Sequence, residues 1–426
     1  MPGGGAQSLR SAAYLRLLLG AALISIPAGL VTLAFVGAFQ GLEEVLWDTV
    51  PDAFGVNPHD WWPVVPTTLG GIAVGLVLRY VPGHGGPAPP DGHGVGGEQG
   101  AAGLKAVPGL LLAAILSLAA GASLGPEMPL LAAIVTVGGL SAVTMRLPEE
   151  LVPGLVIAAV AAVFGGLFAS PLLGAILLLE LPGRPAAQDR DRYTLILPAL
   201  LGSAIGYLVF LATVGEAFAA YDLPAFGQIH PPDVAWALGI GIAGGLIGLA
   251  FIRVFRLIDP LVSRIDRPVL LGAAGGILIG LVAIAAGSRT LFSGEHELQE
   301  VIDAHEPLGV LMLLVLGKGV ALLISLMTGF RGGRIFPLFF LGGVLGLALA
   351  EVTSVPVGLS VPCAMLSVAI PAMRLPLLLI VVVAFFTSAA ALPLLVIAGA
   401  ASYLVCHDQP ELRDPPSAEP APEAGG

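Results

Sequence analysis

The feature that most restricts this chain is a series of long stretches almost free of charge. Residues 17–38, 109–124, 151–181, 193–214, 235–252, 269–287, 308–328, 338–350 and 376–405 consist nearly throughout of apolar and small side chains. Several exceed the ~20 residues that carry a helix across a bilayer, and the longest can hold two helices. Buried helices of a soluble fold would need polar faces elsewhere, and these are missing. Only 11% of the 426 residues are charged and 56% are hydrophobic, where soluble domains carry about 25% charged residues. The expectation is an all-α polytopic membrane protein, seated in the cell membrane with the lipid bilayer as its solvent.

The first apolar run follows Arg10 and Arg16 and is too long for the core of a signal peptide, so it reads as a membrane span. The basic residues fix an expected orientation. Segment 182–192 holds Arg184, Arg190 and Arg192, and segment 253–267 holds Arg253, Arg256, Arg264 and Arg267. Segment 39–63 has Glu43, Glu44, Asp48, Asp52 and Asp60 with no base; segment 215–234 has Glu216, Asp222 and Asp233 with no base; segment 288–307 has five carboxylates and one Arg. Basic loops stay on the cytoplasmic side, which puts both termini in the cytoplasm and the acidic loops outside. The net charge of −11 argues against nucleic acid as a partner. Cys363 and Cys406 offer neither a disulfide framework nor metal-ligand spacing, and no metal or cofactor is expected. Residues 407–426, acidic and rich in Pro and Ala, read as a disordered tail behind a membrane domain of residues 1–406.

Gly/Pro clusters interrupt the apolar stretches. They are Gly83-His84-Gly85-Gly86-Pro87, Gly125-Pro126-Glu127-Met128-Pro129 and Gly332-Gly333-Arg334-Ile335-Phe336-Pro337. Proline is favoured in the first turn of a helix and disfavoured within one, so the second and third clusters mark helix starts inside the membrane. Irregular backbone at that depth is tolerated only where protein buries it or it lines a watery cavity. Gly121 and Gly329 each lie eight residues before a proline, Pro129 and Pro337, that opens a similar apolar run. Pro171 and Pro376 open a second similar pair, and the two offsets are 208 and 205 residues. Two repeats are expected, at about 12–214 and 235–405, with broken helices meeting near the midplane, a recurrent transporter plan.

A helix N-terminus carries unpaired N–H groups and roughly half a positive charge. Several such ends aimed at one point hold an anion loosely enough for it to leave, with no need for a buried cation. The chain has just two lysines, Lys105 and Lys318. Glu127 stands at one of the predicted helix starts. An intramembrane carboxylate is a functional candidate, and this one competes with an anion for the same N–H groups. Glu180, before Leu181-Pro182-Gly183, reads first as a structural acid at a cytoplasmic helix end, with a transport role as the lesser reading. His84 fits a pore lining and a plain loop equally well. Lys318, in an apolar run, reads as a structurally paired or snorkelling residue.

These motifs resemble those of the CLC family of chloride channels and chloride/proton exchangers. Leu124-Gly125-Pro126-Glu127-Met128-Pro129 is similar to the family's Gly-Arg/Lys-Glu-Gly-Pro segment, which puts Glu127 at the external gating glutamate. Gly333-Arg334-Ile335-Phe336-Pro337 resembles Gly-x-Phe-x-Pro, with Ile335 where Phe is usual. Gly83–Pro87 resembles Gly-Ser-Gly-Ile-Pro, with His84 in place of the anion-coordinating serine. The resemblance spans roughly residues 12 to 405 and implies an inverted repeat of broken, tilted helices and a homodimer with one pore per subunit. It nominates His84, Gly85, Gly125, Pro126, Glu127, Met128, Arg334, Ile335 and Phe336 as the anion site, with Glu180, Lys318 and Ala390 as secondary positions. It also implies a dimer interface near 193–214 and 376–405, where Gly202, Ser203, Ala204 and Gly206 would allow close packing.

Departures from the family's pattern bear on mechanism. Leu181 stands where exchangers carry an inward-facing glutamate, and Ala390 where the pore tyrosine is expected. The paired C-terminal nucleotide-binding domains of many eukaryotic members are not expected. The chain therefore reads as a passive chloride channel gated by Glu127. A proton-coupled chloride or fluoride exchanger is the alternative. An intramembrane hydrolase is remote, because no motif joins Ser123 to His84, and a structural scaffold would not need Glu127 at a broken helix.

Overall fold

The computed structural model describes residues 11–57, 60–81, 98–145, 151–180, 189–214, 220–224 and 226–409, so His84, Gly85 and Leu181 lie outside the described residues. The first part of the chain forms α1 (Ala12–Glu44), which runs through a π-helical turn (Val45–Thr49) into α2 (Val50–Phe54), then α3 (Val64–Tyr80), α4 (Glu98–Ala119), α5 (Glu127–Thr144), α6 (Val152–Leu167), α7 (Leu173–Glu180) and α8 (Asp189–Thr213). The second part forms α9 (Pro231–Val262), α10 (Pro268–Ala286), α11 (Glu295–Ala304), α12 (Leu308–Met327), α13 (Ile335–Val352), α14 (Val357–Met373), α15 (Pro376–Phe386) and α16 (Leu392–Cys406). Among the described residues there is no strand, only one isolated backbone bridge between Gly125 and Gly333. Among the described residues, seven helical segments are long and apolar enough to span a membrane, and shorter apolar helices include α6, α14 and α15.

The apolar patterning explains which helices lie at the centre. Helices α6 and α14 are hydrophobic all round and buried along most of their length, as expected of helices enclosed by others. Helix α9 instead exposes Leu238, Leu246, Leu257 and Leu261, a face that lipid can cover. Close packing between helices relies on small residues. A side chain added at Gly71 or Gly272 would strike the backbone of the other helix, which holds α3 and α10 in direct backbone contact. The same is true of Gly202 and Gly206, whose Cα positions abut the backbone of Ala158 and Ala162 on α6. Ser203 is fully buried and donates to the carbonyl of Pro171 at 2.6 Å. Gly202, Ser203 and Gly206 thus pack α8 against α6 within the subunit, which corrects the expectation that they serve a contact between copies.

Candidate anion site where two broken helices meet

Helices α4 and α12 end at glycines in the left-handed region, Gly121 (φ 89°) close behind α4 and Gly329 (φ 92°) close behind α12. The chain then runs irregularly for a few residues before α5 and α13 begin, with Pro129 and Pro337 in their first turns as expected. The two irregular segments pair with each other. Gly125 donates its N–H to Gly333 at 2.8 Å, and Gly333 donates to Gly125 at 2.6 Å. Two serines repeat this exchange one layer away. Ser325 Oγ accepts from the N–H of Ser123 at 3.1 Å, and Ser117 Oγ accepts from the N–H of Arg331 at 2.8 Å. Each serine donates its own proton one turn back, to Ala321 and Ala113, at 2.8 and 2.7 Å. Reciprocal contacts of this kind are what a two-fold relation generates, and they satisfy backbone groups that water cannot reach in a membrane.

Glu127, the first residue of α5, is 1% exposed. Its Oε1 accepts the backbone N–H of Ile335, the first residue of α13, at 2.8 Å. Its Oε2 has no hydrogen-bond partner among the described residues. The Arg334 charge and the carboxylate's own backbone N–H also act on it electrostatically. A side chain at Gly125 or Gly333 would collide with this carboxylate, so both positions must be glycine for Glu127 to lie there. The first-half carboxylate therefore occupies the electropositive start of a second-half helix, the place an anion would take. Behind it, Phe336 stacks on Phe168 and Phe386, with ring centroids 5.5 and 6.2 Å apart.

Of the nominated residues, Gly125, Pro126, Glu127, Met128, Arg334, Ile335 and Phe336 all lie at this junction, on the two paired segments and the helix starts that follow them. His84 and Gly85 fall outside the described residues. Glu180 accepts the N–H groups of Leu377 and Leu378 at 2.6 and 2.7 Å, capping the start of α15. Lys318 is fully buried, donates to the carbonyls of Leu291 and Phe292, and lies 4.8 Å from the Phe340 ring centroid. Its ammonium is thus paired with backbone carbonyls inside the fold. Ala390 stands exposed in a 3-10 turn (Ala389–Ala391) at the start of α16. Phe386 and Phe168, which carry no motif, reach the junction through their stacking on Phe336. Ser117 and Ser325 were also missed, although they share the 208-residue separation that links Glu127 to Ile335.

Residues 69–407 match the family model described as voltage gated chloride channel. The chain belongs to the CLC family. Relatives of this CLC protein that carry the name ion-transport protein YfeO include one from Salmonella newport, 32% identical over 86% of this chain and 88% of its own, and one from Escherichia fergusonii, 32% identical over 86% of each. Among solved structures, a slow cyanobacterial Cl−/H+ antiporter superposes with a TM-score of 0.78 at 17% identity, covering 92% of this chain and 94% of its own. A CLC-type fluoride/proton antiporter superposes with a TM-score of 0.73 at 20% identity, covering 93% and 96%. This CLC chain thus has the all-helical inverted-repeat fold of the family and is an ion-transport protein of the membrane.

Proposed function

We propose that this CLC protein moves chloride, or a related small anion, passively through the junction of α5 and α13, with Glu127 as the gate. The observation that carries this reading is the Glu127 carboxylate on the N–H of Ile335. A bound anion needs the same N-terminal charge and the same N–H groups, so the two compete. Protonation removes the carboxylate's charge, loosens its hold on the helix and frees the place for an anion. Gly125 and Gly333 leave room for the carboxylate and for an ion of similar size in its place.

Passive movement is supported by what surrounds the inner end. A proton relay needs an acid free to take up and pass on a proton, because bare charge is costly in the membrane. Glu180, the nearest acid in the sequence to the relay position, has both oxygens bound to backbone N–H groups, and its neighbour is Leu181. The second reading is proton-coupled exchange of chloride or fluoride, favoured by the activities in whose terms the two solved structures are described. A homodimer in the cell membrane, with cytoplasmic termini, belongs to the same proposal. Leu208 and Leu211 of α8 and Val396 and Leu404 of α16 offer exposed apolar surface for the contact.

The test is a chloride gradient imposed across liposomes containing the purified protein, with internal pH followed as chloride moves. Chloride flux without uphill proton movement is expected. Stoichiometric uphill proton movement, abolished by Glu127→Gln, would replace the passive reading with the exchanger.

A further inference from the structure

Two loops that are far apart in sequence, both acidic and both assigned to the outside by their charge, meet beside the junction. Glu43 at the end of α1, Asp48 in the π-helical turn, and Glu295 and Glu297 in the first turn of α11 line one cavity of about 250 Å³. Leu124 and Pro126, which flank Gly125 just before Glu127, line the same cavity. It is therefore a vestibule through which an anion could approach the gate, yet its walls carry carboxylates.

These carboxylates are short of partners. Glu295 is 6% exposed, and its Oε2 and that of Glu297 have no hydrogen-bond partner among the described residues. Among the described residues, charged and titratable groups face them from several elements. From α1 and its extension come Glu43, Glu44 and Asp48, and from α11 itself the exposed His296. Glu300, one turn further along α11, is paired with Arg289 at 3.2 Å. From α12 comes Lys318, whose charge acts on both glutamates while its protons go to the carbonyls of Leu291 and Phe292. Tyr221 faces them too, and its buried hydroxyl also has no hydrogen-bond partner among the described residues. Carboxylates thus outnumber cations, and an unpaired buried charge is expensive. No group of three or more His, Cys, Asp or Glu among the described residues is arranged to hold a metal ion, whereas a proton shared between carboxylates needs no such shell.

We propose that this cavity is a proton-binding site that controls anion access to Glu127: ionised, its carboxylates repel an approaching anion, and protonated, they admit it. Burial, and then the charge of Glu297, pushes Glu295 well above the ordinary carboxylate range, and burial also raises Glu297 against the opposing effect of Lys318. A raised carboxyl holds its proton nearer to neutrality, so acidification on this side alone loads the site. The inference rests on the anion-transport reading above, and adds to it a second pH-sensitive element distinct from the gate.

The experiment uses Glu127→Gln as background, since any pH response left there arises elsewhere. Chloride flux is recorded in planar bilayers while pH is changed on one side at a time. Acidifying the cavity side is expected to raise flux on the order of fivefold, the effect of one or two like charges at the mouth of a path. Adding Glu295→Gln and Glu297→Gln is expected to abolish this response and leave flux at the high level. A flat pH response in the Glu127→Gln background, or one that survives both further substitutions, would overturn the proposal. If the Glu127→Gln protein moves no anion at all, the anion-transport reading fails first. The proton site is then read by infrared difference spectroscopy of the same proteins. A protonated-carboxyl band near neutral pH that vanishes with Glu295→Gln and Glu297→Gln supports it, and absence of that band refutes it.

Discussion

Two carboxylates from the first half of the chain each sit on the first turn of a second-half helix, and they differ in how completely they are satisfied. Glu180 spends Oε1 on Leu377 and Oε2 on Leu378 at the start of α15, in a half-buried position. Glu127 spends one oxygen on Ile335 at the start of α13, is 1% exposed, and leaves the other oxygen without a hydrogen-bond partner among the described residues. The same attraction between a carboxylate and a helix N-terminus is a cap in one place and a competitor in the other. A fully satisfied acid gains nothing by moving. A half-satisfied acid in a buried site carries an uncompensated desolvation cost, so protonation or a rival anion readily shifts the balance. Partner number, more than residue type or location, separates the lock from the latch.

That contrast can be broken at the lock. Glu180→Gln leaves one oxygen to accept an N–H and turns an NH₂ toward the other, losing a charge-assisted bond worth about 1–3 kcal/mol. The expected outcome is a lower melting temperature in detergent, with the pH response of chloride flux unchanged. An unaltered melting temperature with altered pH response would mean that Glu180 works in transport and that the two acids are alike.

The two-fold exchange that holds the latch in place gives a smaller effect. Ser325→Ala removes the acceptor of the Ser123 N–H, and Ser117→Ala removes that of Arg331. Each leaves one backbone N–H unpaired, at a cost of about 1–2 kcal/mol. Because the two contacts are equivalent, matched decreases in melting temperature are expected. A large loss from one and none from the other would break the equivalence of the two halves.

The sequence discloses much of this site because its signals are local. A Gly/Pro break before an apolar run marks a helix start wherever it occurs, and Pro129 and Pro337 do sit in first turns. Glu127 is conspicuous as a charge in an apolar stretch. The rest depends on contacts between distant segments. Ser117 and Ser325 look like any serine that bonds its own helix, and their cross-contacts span 214 and 202 residues. Gly202 and Gly206 signal close packing but not its partner, which is α6. Counting three residues from Thr387 gives Ala390, which is exposed in a 3-10 turn, whereas the buried residue stacked on Phe336 is Phe386. Glu43 and Glu297 read as solvated loop acids because nothing in either loop indicates that both line one cavity.

The central claim is that Glu127 and an anion compete for the start of α13, and chloride binding measures this without any assumption about coupling. Isothermal titration of the purified protein with chloride at neutral pH compares wild type with Glu127→Gln, which keeps the shape and removes the charge. A carboxylate at a partly buried helix N-terminus is held by up to about 2 kcal/mol. Removing that competition is expected to tighten chloride binding by as much as roughly thirtyfold, and lowering the pH is expected to tighten binding to the wild type more than to Glu127→Gln, where only the vestibule carboxylates still respond. Equal chloride affinity in the two proteins, with the same pH dependence in both, would contradict the account.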